Sequence, residues 1–124
     1  MRPSWCYGTP GIARAQQLAA IALGDTARQY LVEAAFTRCV TDLAQTRRLT
    51  DRSLCHGTAG LLVTARRIAA DAIAPTPLTQ IEDLHQQVAT TGNERAGFLE
   101  GIAGSELAAI RTTATSWDAC LLLT

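Results

Sequence analysis

Apolar residues recur along this chain at helical spacing. Ile12, Ala15, Ala19, Ala22 and Leu23 fall on one stripe, Leu61, Leu62, Ala65, Ile68, Ala69 and Ala72 on a second, and Leu99, Ile102, Ala103, Leu107 and Ile110 on a third. Residues three, four and seven apart share one helix face, so each set predicts a helix with that stripe turned to the core. Leu31, Ala34, Ala35 and Cys39 predict a further helix between the first two, and Ile81, Leu84 and Val88 another between the second and third. The punctuation agrees. Pro10 suits a first helical turn, where its missing N–H costs nothing, and Gly24 can end the first helix with Asp25 starting the next. Pro75-Thr76-Pro77 is a second stop and restart.

Self-comparison organises these helices. Gly8-Thr9-Pro10-Gly11, Gly57-Thr58-Ala59-Gly60 and Gly101-Ile102-Ala103-Gly104 each open one of the three main stripes, at offsets of 49 and then 44 residues. That interval belongs to helical-hairpin repeats. The expectation is an all-α fold in which three inner helices, each entered through Gly-x-x-Gly, alternate with outer helices. Glycines at the helix starts allow close backbone approach and leave N–H groups free, so three such starts can converge on one central face, as in an α/α toroid.

Size and composition are compatible with this. A chain of 124 residues suits a single domain spanning 1–124, able to bury about two-thirds of its unfolded surface. Hydrophobic residues supply 48% and aromatics only 5%, a balance suited to closely packed helices. Eleven basic residues balance eleven acidic ones and gather into no stripe, which argues against nucleic acid as a partner. No stretch approaches the ~20 apolar residues of a membrane span, and Met1 to Gly11 does not read as a secretory signal. A cytoplasmic protein with reduced thiols is expected, so Cys6, Cys55, Cys39 and Cys120 read as metal ligands or core residues rather than disulfides.

Two of the Gly-x-x-Gly phrases are preceded by soft-metal donors: Trp5-Cys6-Tyr7 before Gly8, and Leu54-Cys55-His56 before Gly57. If the repeats are stacked neighbours, Cys6, Cys55 and His56 meet in a Cys2His set, which suits zinc with a fourth position open. Zinc in such a site lowers the pKa of a substrate thiol and makes a nucleophile. No Cys-x-x-Cys pair is present, and free cysteine is often a small core residue; what favours ligation is the placement of both cysteines against a repeated phrase.

These residues, with Ser4 ahead of the first phrase, Gly97-Phe98-Leu99-Glu100 ahead of the third and Trp117-Asp118 near the end, resemble the lanthionine synthetase C-like family, in the same order. The resemblance implies the C-terminal portion of a cyclase domain, an α/α toroid of about seven hairpins of which this chain supplies three inner helices. It implies one zinc ion on Cys6, Cys55 and His56, with Arg2 and Tyr7 lining the reaction site. The implied reaction adds a peptide cysteine thiol to dehydroalanine or dehydrobutyrine, making lanthionine or methyllanthionine rings. The implied partners are a dehydrated precursor peptide and either a dehydratase or the rest of the toroid. Family members also use a His and an Asp from earlier hairpins, which have no counterpart here. Two other readings stay open: a zinc-binding peptide-recognition scaffold without turnover, and a helical-repeat domain without metal.

The other chemistry-bearing residues have plain readings. His85 is expected on the surface of an outer helix, Cys39 and Cys120 in packing, and Trp5 and Trp117 likewise. Arg47, Arg48 and Arg52 form a basic cluster that either meets an acidic peptide or is solvated. Glu100 takes the place before Gly101 that Tyr7 and His56 take in the other phrases, so it either faces the site or favours a helix dipole.

Overall fold

The computed structural model describes residues 2–89, 95–111 and 115–124, and among these the chain is helical throughout, without strands. The inner helices are α1 (Thr9–Leu23), α4 (Thr58–Asp71) and α6 (Ile102–Ala109); α2 (Thr26–Thr41), the short α3 (Leu43–Thr46) and α5 (Leu78–Gln87) run between them, and a 3-10 turn covers Trp117–Leu121. Helix α1 packs on α2 and α4 on α5, while α4 stands between α1 and α6. None of these helices is long and apolar enough to cross a membrane.

The expected stops are in place. Pro10 lies in the first turn of α1, and Gly24 ends that helix in the left-handed conformation at φ 67°. The Asp25 carboxylate then accepts the Arg28 N–H and starts α2. The short α3 and the 3-10 turn carried no signal of their own, because each is too brief to establish a period.

The glycines of the repeat are required by contact rather than by dihedral. Gly8, Gly57 and Gly101 have extended φ values of −133°, −103° and −130° that any residue can adopt. However, a Cβ on Gly11, Gly60 or Gly104 would collide with the carbonyl oxygen of Trp5, Leu54 or Phe98, in each case six residues earlier. The segment before each inner helix therefore lies flat against that helix's first turn, three times over.

Two apolar cores form among the described residues. One joins Ala13, Phe36, Val40, Leu49, Leu61, Leu62, Ala65, Ile68 and Ile81 between the inner and outer helices. The second gathers Leu54, Ala59, Val63, Ala108, Leu121 and Leu123 with Trp5, Phe98 and Trp117, beneath the turns. The C-terminal segment closes it: Asp118 pairs with Arg67 through both carboxylate oxygens, Trp5 Nε1 donates to the Leu121 carbonyl at 3.0 Å, and Arg14 Nε donates to that of Leu123 at 2.7 Å.

Helix α1 overturns its predicted orientation. Ile12, Ala15, Ala19, Ala22 and Leu23 are exposed, and the buried face carries Pro10, Ala13, Arg14, Gln17 and Ala20. The polar residues go inward because each finds partners there. Arg14 bonds to Gln17 at 2.6 Å and pairs with Asp71 at 2.8 Å; Gln17 donates to Glu33 at 2.9 Å and to the Ile68 carbonyl at 3.1 Å. Glu33 of α2 accepts from Gln29 and from the backbone of Ile73 and Ala74 beyond the end of α4. Leu31 is likewise 67% exposed, while Val32, Glu33, Phe36 and Val40 face in. In α6 the stripe also shifts: Gly104, Ser105 and Ala108 are buried, and Ile102 and Ile110 are exposed.

The repeat register explains the bare stripe on α1. Ile12, Ala15 and Ala19 correspond to Leu61, Thr64 and Ile68 of α4, all almost completely buried. Helix α4 has α1 beside it, and α1 has no described helix in the equivalent place. Leu122, in the left-handed region at φ 55° and 82% exposed, joins Ile12 and Ala15 along a shallow groove of about 370 Å³.

Three residues depart from their expected roles. His85 is buried against α4, where its Nδ1 lies 2.8 Å from Thr58 Oγ1. Cys120 is exposed, with its thiol on the Trp117 carbonyl. Arg52 is not part of a solvated cluster but donates to the carbonyls of Val88 and Gln86 at the end of α5.

Equivalent positions should respond unequally to truncation. Leu61→Ala is expected to cost about 2–5 kcal/mol in urea denaturation and Ile12→Ala less than about 0.5 kcal/mol. Burial, helped by the Arg52 and Arg66 charges, pushes His85 down to about 4 from 6.5. The folded chain then binds fewer protons than the unfolded chain between those values, so this contribution is whole above pH 6.5 and is lost as pH falls towards 4. After screening, that loss is at most about 2 kcal/mol. Thermal melts at neutral pH and near the lower value should show a smaller drop for His85→Asn than for the parent.

Candidate metal centre

One turn leads into each inner helix, at residues 5–8, 54–57 and 98–101. Its first residue, Trp5, Leu54 or Phe98, enters the lower core, and its last is the glycine before the helix. The two middle positions hold Cys6 and Tyr7, Cys55 and His56, and Leu99 and Glu100. The turns are tied together in order: the Cys55 N–H donates to the Leu99 carbonyl at 2.8 Å, and the Cys6 thiol lies 2.9 Å from the Cys55 carbonyl.

This stacking brings Cys6 onto Cys55 and His56, which lie 49 and 50 residues further along the chain. Cys6 Sγ is 3.1 Å from Cys55 Sγ and 3.2 Å from His56 Nδ1, and the three ligand atoms lie within 4.8 Å of one another. Tetrahedral ligation at about 2.3 Å would set two sulfurs about 3.8 Å apart, so a modest spreading of partly exposed side chains accommodates a metal ion. Two thiols and an imidazole on one point fit a borderline-soft divalent cation and leave a coordination position for another ligand.

Neighbouring residues hold the donors in place. The His56 N–H donates to Ser53 Oγ at 3.2 Å, and the Ser53 N–H donates to Asp51 Oδ1 at 2.8 Å. Tyr7, 74% exposed, stacks on the His56 ring with centroids 5.9 Å apart and planes 15° from parallel. His56 Nε2 faces Glu100 Oε1 at 4.0 Å. Burial first, then the Cys6 thiol and the charges of Glu100 and Asp51, push the Cys55 thiol up to about 12, so without a cation it stays protonated.

Of the residues singled out in the sequence, Cys6, Cys55, His56, Tyr7 and Glu100 come together. Arg2 precedes the first turn with its side chain exposed, and its carbonyl lies where a Cβ on Gly8 would be. His85 lies in the core instead. Ser53 and Asp51 were not foreseen, although Asp-x-Ser ahead of a glycine is a readable turn signal.

The fold and the cluster together define a class: a helical-hairpin repeat protein whose inner-helix turns present two thiols and an imidazole at one point. The chain belongs to the lanthionine synthetase C-like family, whose description, lanthionine synthetase C-like protein, it matches over residues 1–122. No curated protein and no solved structure matches it. The match spans all three turns and the C-terminal segment through Leu122.

Metal binding should displace the Cys55 proton. Calorimetric titration of the chain with a divalent cation in buffers of different ionisation enthalpy is expected to show release of one or more protons near neutral pH. Affinity should fall as pH is lowered, and Cys55→Ala should abolish both effects.

Proposed function

We propose that this chain is a zinc-binding cyclase module, spanning 1–124 as one domain, that forms lanthionine or methyllanthionine thioethers in dehydrated precursor peptides. The observation that carries this reading is the convergence of Cys6, Cys55 and His56 at matching positions of two repeat turns. Family membership supports a cyclase-type activity on a peptide substrate. Cys6, Cys55 and His56 would hold the ion, and zinc, when bound, lowers the pKa of a substrate thiol so that it reacts as a thiolate. In the overall reaction a carbon–sulfur bond forms to the β-carbon of dehydroalanine or dehydrobutyrine, and the thiol proton is replaced by one delivered to the α-carbon. No group leaves.

The chain's own residues prepare that step. Tyr7 stacks on His56 and, being exposed, stands where a bound peptide would meet it, while Glu100 borders the same opening. Arg2, exposed ahead of the first turn, would line the reaction site with Tyr7. A cytoplasmic setting, in which the four free cysteines stay reduced, accompanies this reading.

One observation favours a second reading for the chain acting alone. Its other histidine, His85, is locked in the core against Thr58 and stands apart from the cluster, so no second imidazole is at hand to move a proton. Alone, the chain would bind zinc and peptide as a scaffold; further hairpins docked on the bare stripe of α1, as in a complete α/α toroid, would supply the proton-transfer residues. A dehydratase that prepares the peptide is the natural second partner.

Elemental analysis of the purified chain against a Cys55→Ala, His56→Ala variant tests the centre, with about one zinc expected in the parent and none in the variant. Thioether formation on a dehydrated peptide, with and without the preceding hairpins in trans, then separates cyclase from scaffold. A parent free of zinc would overturn both readings.

A further inference from the structure

We infer that Glu100 is a positioning residue for His56, and that the third turn, which carries no metal donor, supports the two that do. The inference rests on the metal-binding reading of Cys6, Cys55 and His56 and adds a role that the donor set alone does not assign.

The His56 ring is engaged on both edges and on a face. Its Nδ1 lies 3.2 Å from Cys6 Sγ, on the side of the cluster, while its Nε2 lies 4.0 Å from Glu100 Oε1. Tyr7 stacks on the face and restricts tilting. An imidazole that binds a metal through one nitrogen carries its proton on the other, and a carboxylate accepting that N–H fixes both tautomer and ring plane. Nδ1 lies against Cys6 Sγ, so ligation through it leaves the proton on Nε2, the atom that faces Glu100.

Register places the carboxylate there. Glu100 occupies in the third turn the position that His56 occupies in the second, and the Leu99 carbonyl, one residue earlier, accepts the Cys55 N–H at 2.8 Å. The third turn thus meets both donors of the second: the cysteine through its backbone and the histidine through the Glu100 side chain. At 4.0 Å the Glu100 contact is longer than a hydrogen bond, but the Glu100 side chain is 65% exposed and free to rotate the remaining ångström. A helix-dipole role alone would not account for the approach to His56.

The test uses the full chain loaded with Co²⁺ and compares the parent with Glu100→Gln and Glu100→Ala. Chelator competition, read through the cobalt–thiolate absorption, is expected to show Glu100→Ala weakened about ten- to a hundredfold and Glu100→Gln, which keeps an accepting oxygen, less so. Melting temperatures of the metal-free variants should match the parent, since a merely structural role would lower them. Proton-coupled ¹⁵N spectra of the zinc-loaded parent should show His56 protonated on Nε2. Unchanged cobalt affinity in Glu100→Ala, or ligation through Nε2, would overturn the assignment while leaving the metal centre intact. Failure of the parent to bind cobalt would overturn the metal-binding reading and this assignment with it.

Discussion

Everything that positions the candidate centre depends on a close approach of backbone to backbone. Where each inner helix begins, the carbonyl six residues upstream lies in the space a Cβ would fill on Gly11, Gly60 or Gly104. That contact folds the preceding segment flat onto the helix start and gives all three turns one shape. Equal shape lets them stack, and stacking converts a separation of 49 residues between Cys6 and Cys55 into 3.1 Å between their sulfurs. A methyl group at Gly11 or Gly60 would push the turn off its helix and move a donor with it, and one at Gly104 would displace the turn that supports them.

The second organising interaction is a buried polar network. Arg14, Gln17, Gln29 and Glu33 are each at least nine-tenths buried, and every one has a partner. Burying such groups is tolerable only when their hydrogen bonds are made, and here they join α1, α2, the end of α4 and the C-terminal segment. The same network turns α1 so that its aliphatic stripe faces outward. An interior held by buried hydrogen bonds and an apolar flank left bare are therefore one arrangement, and the register with α4 shows that the flank has the form of a helix-packing surface.

The three turns differ in what they carry while sharing a backbone path. The first offers a thiol and a phenol, the second a thiol and an imidazole, the third an aliphatic side chain and a carboxylate. Two turns would suffice to supply donors; the third contributes the carbonyl that receives the Cys55 N–H and the acid that faces His56. The C-terminal segment braces the assembly from below through Arg67 and Asp118, with Trp5 reaching from the first turn to the Leu121 carbonyl.

Much of this was legible in the sequence, because helical period, proline and glycine stops and the recurring Gly-x-x-Gly are local properties. They determined an all-helical chain, three equivalent helix entries and the placement of Cys6, Cys55 and His56 at two of them. Which face of each helix turns inward was not local. The aliphatic stripe of α1 looked like a core face, yet Arg14 and Gln17 displaced it because Glu33, Asp71 and the carbonyls of Ile68 and Leu123, all distant in sequence, satisfy them. His85 looked solvated between polar neighbours, but a hydroxyl 27 residues away draws it into the core. Periodicity records what a helix can bury, whereas partners supplied by other helices decide what it does bury, and those partners exist only once the chain has folded.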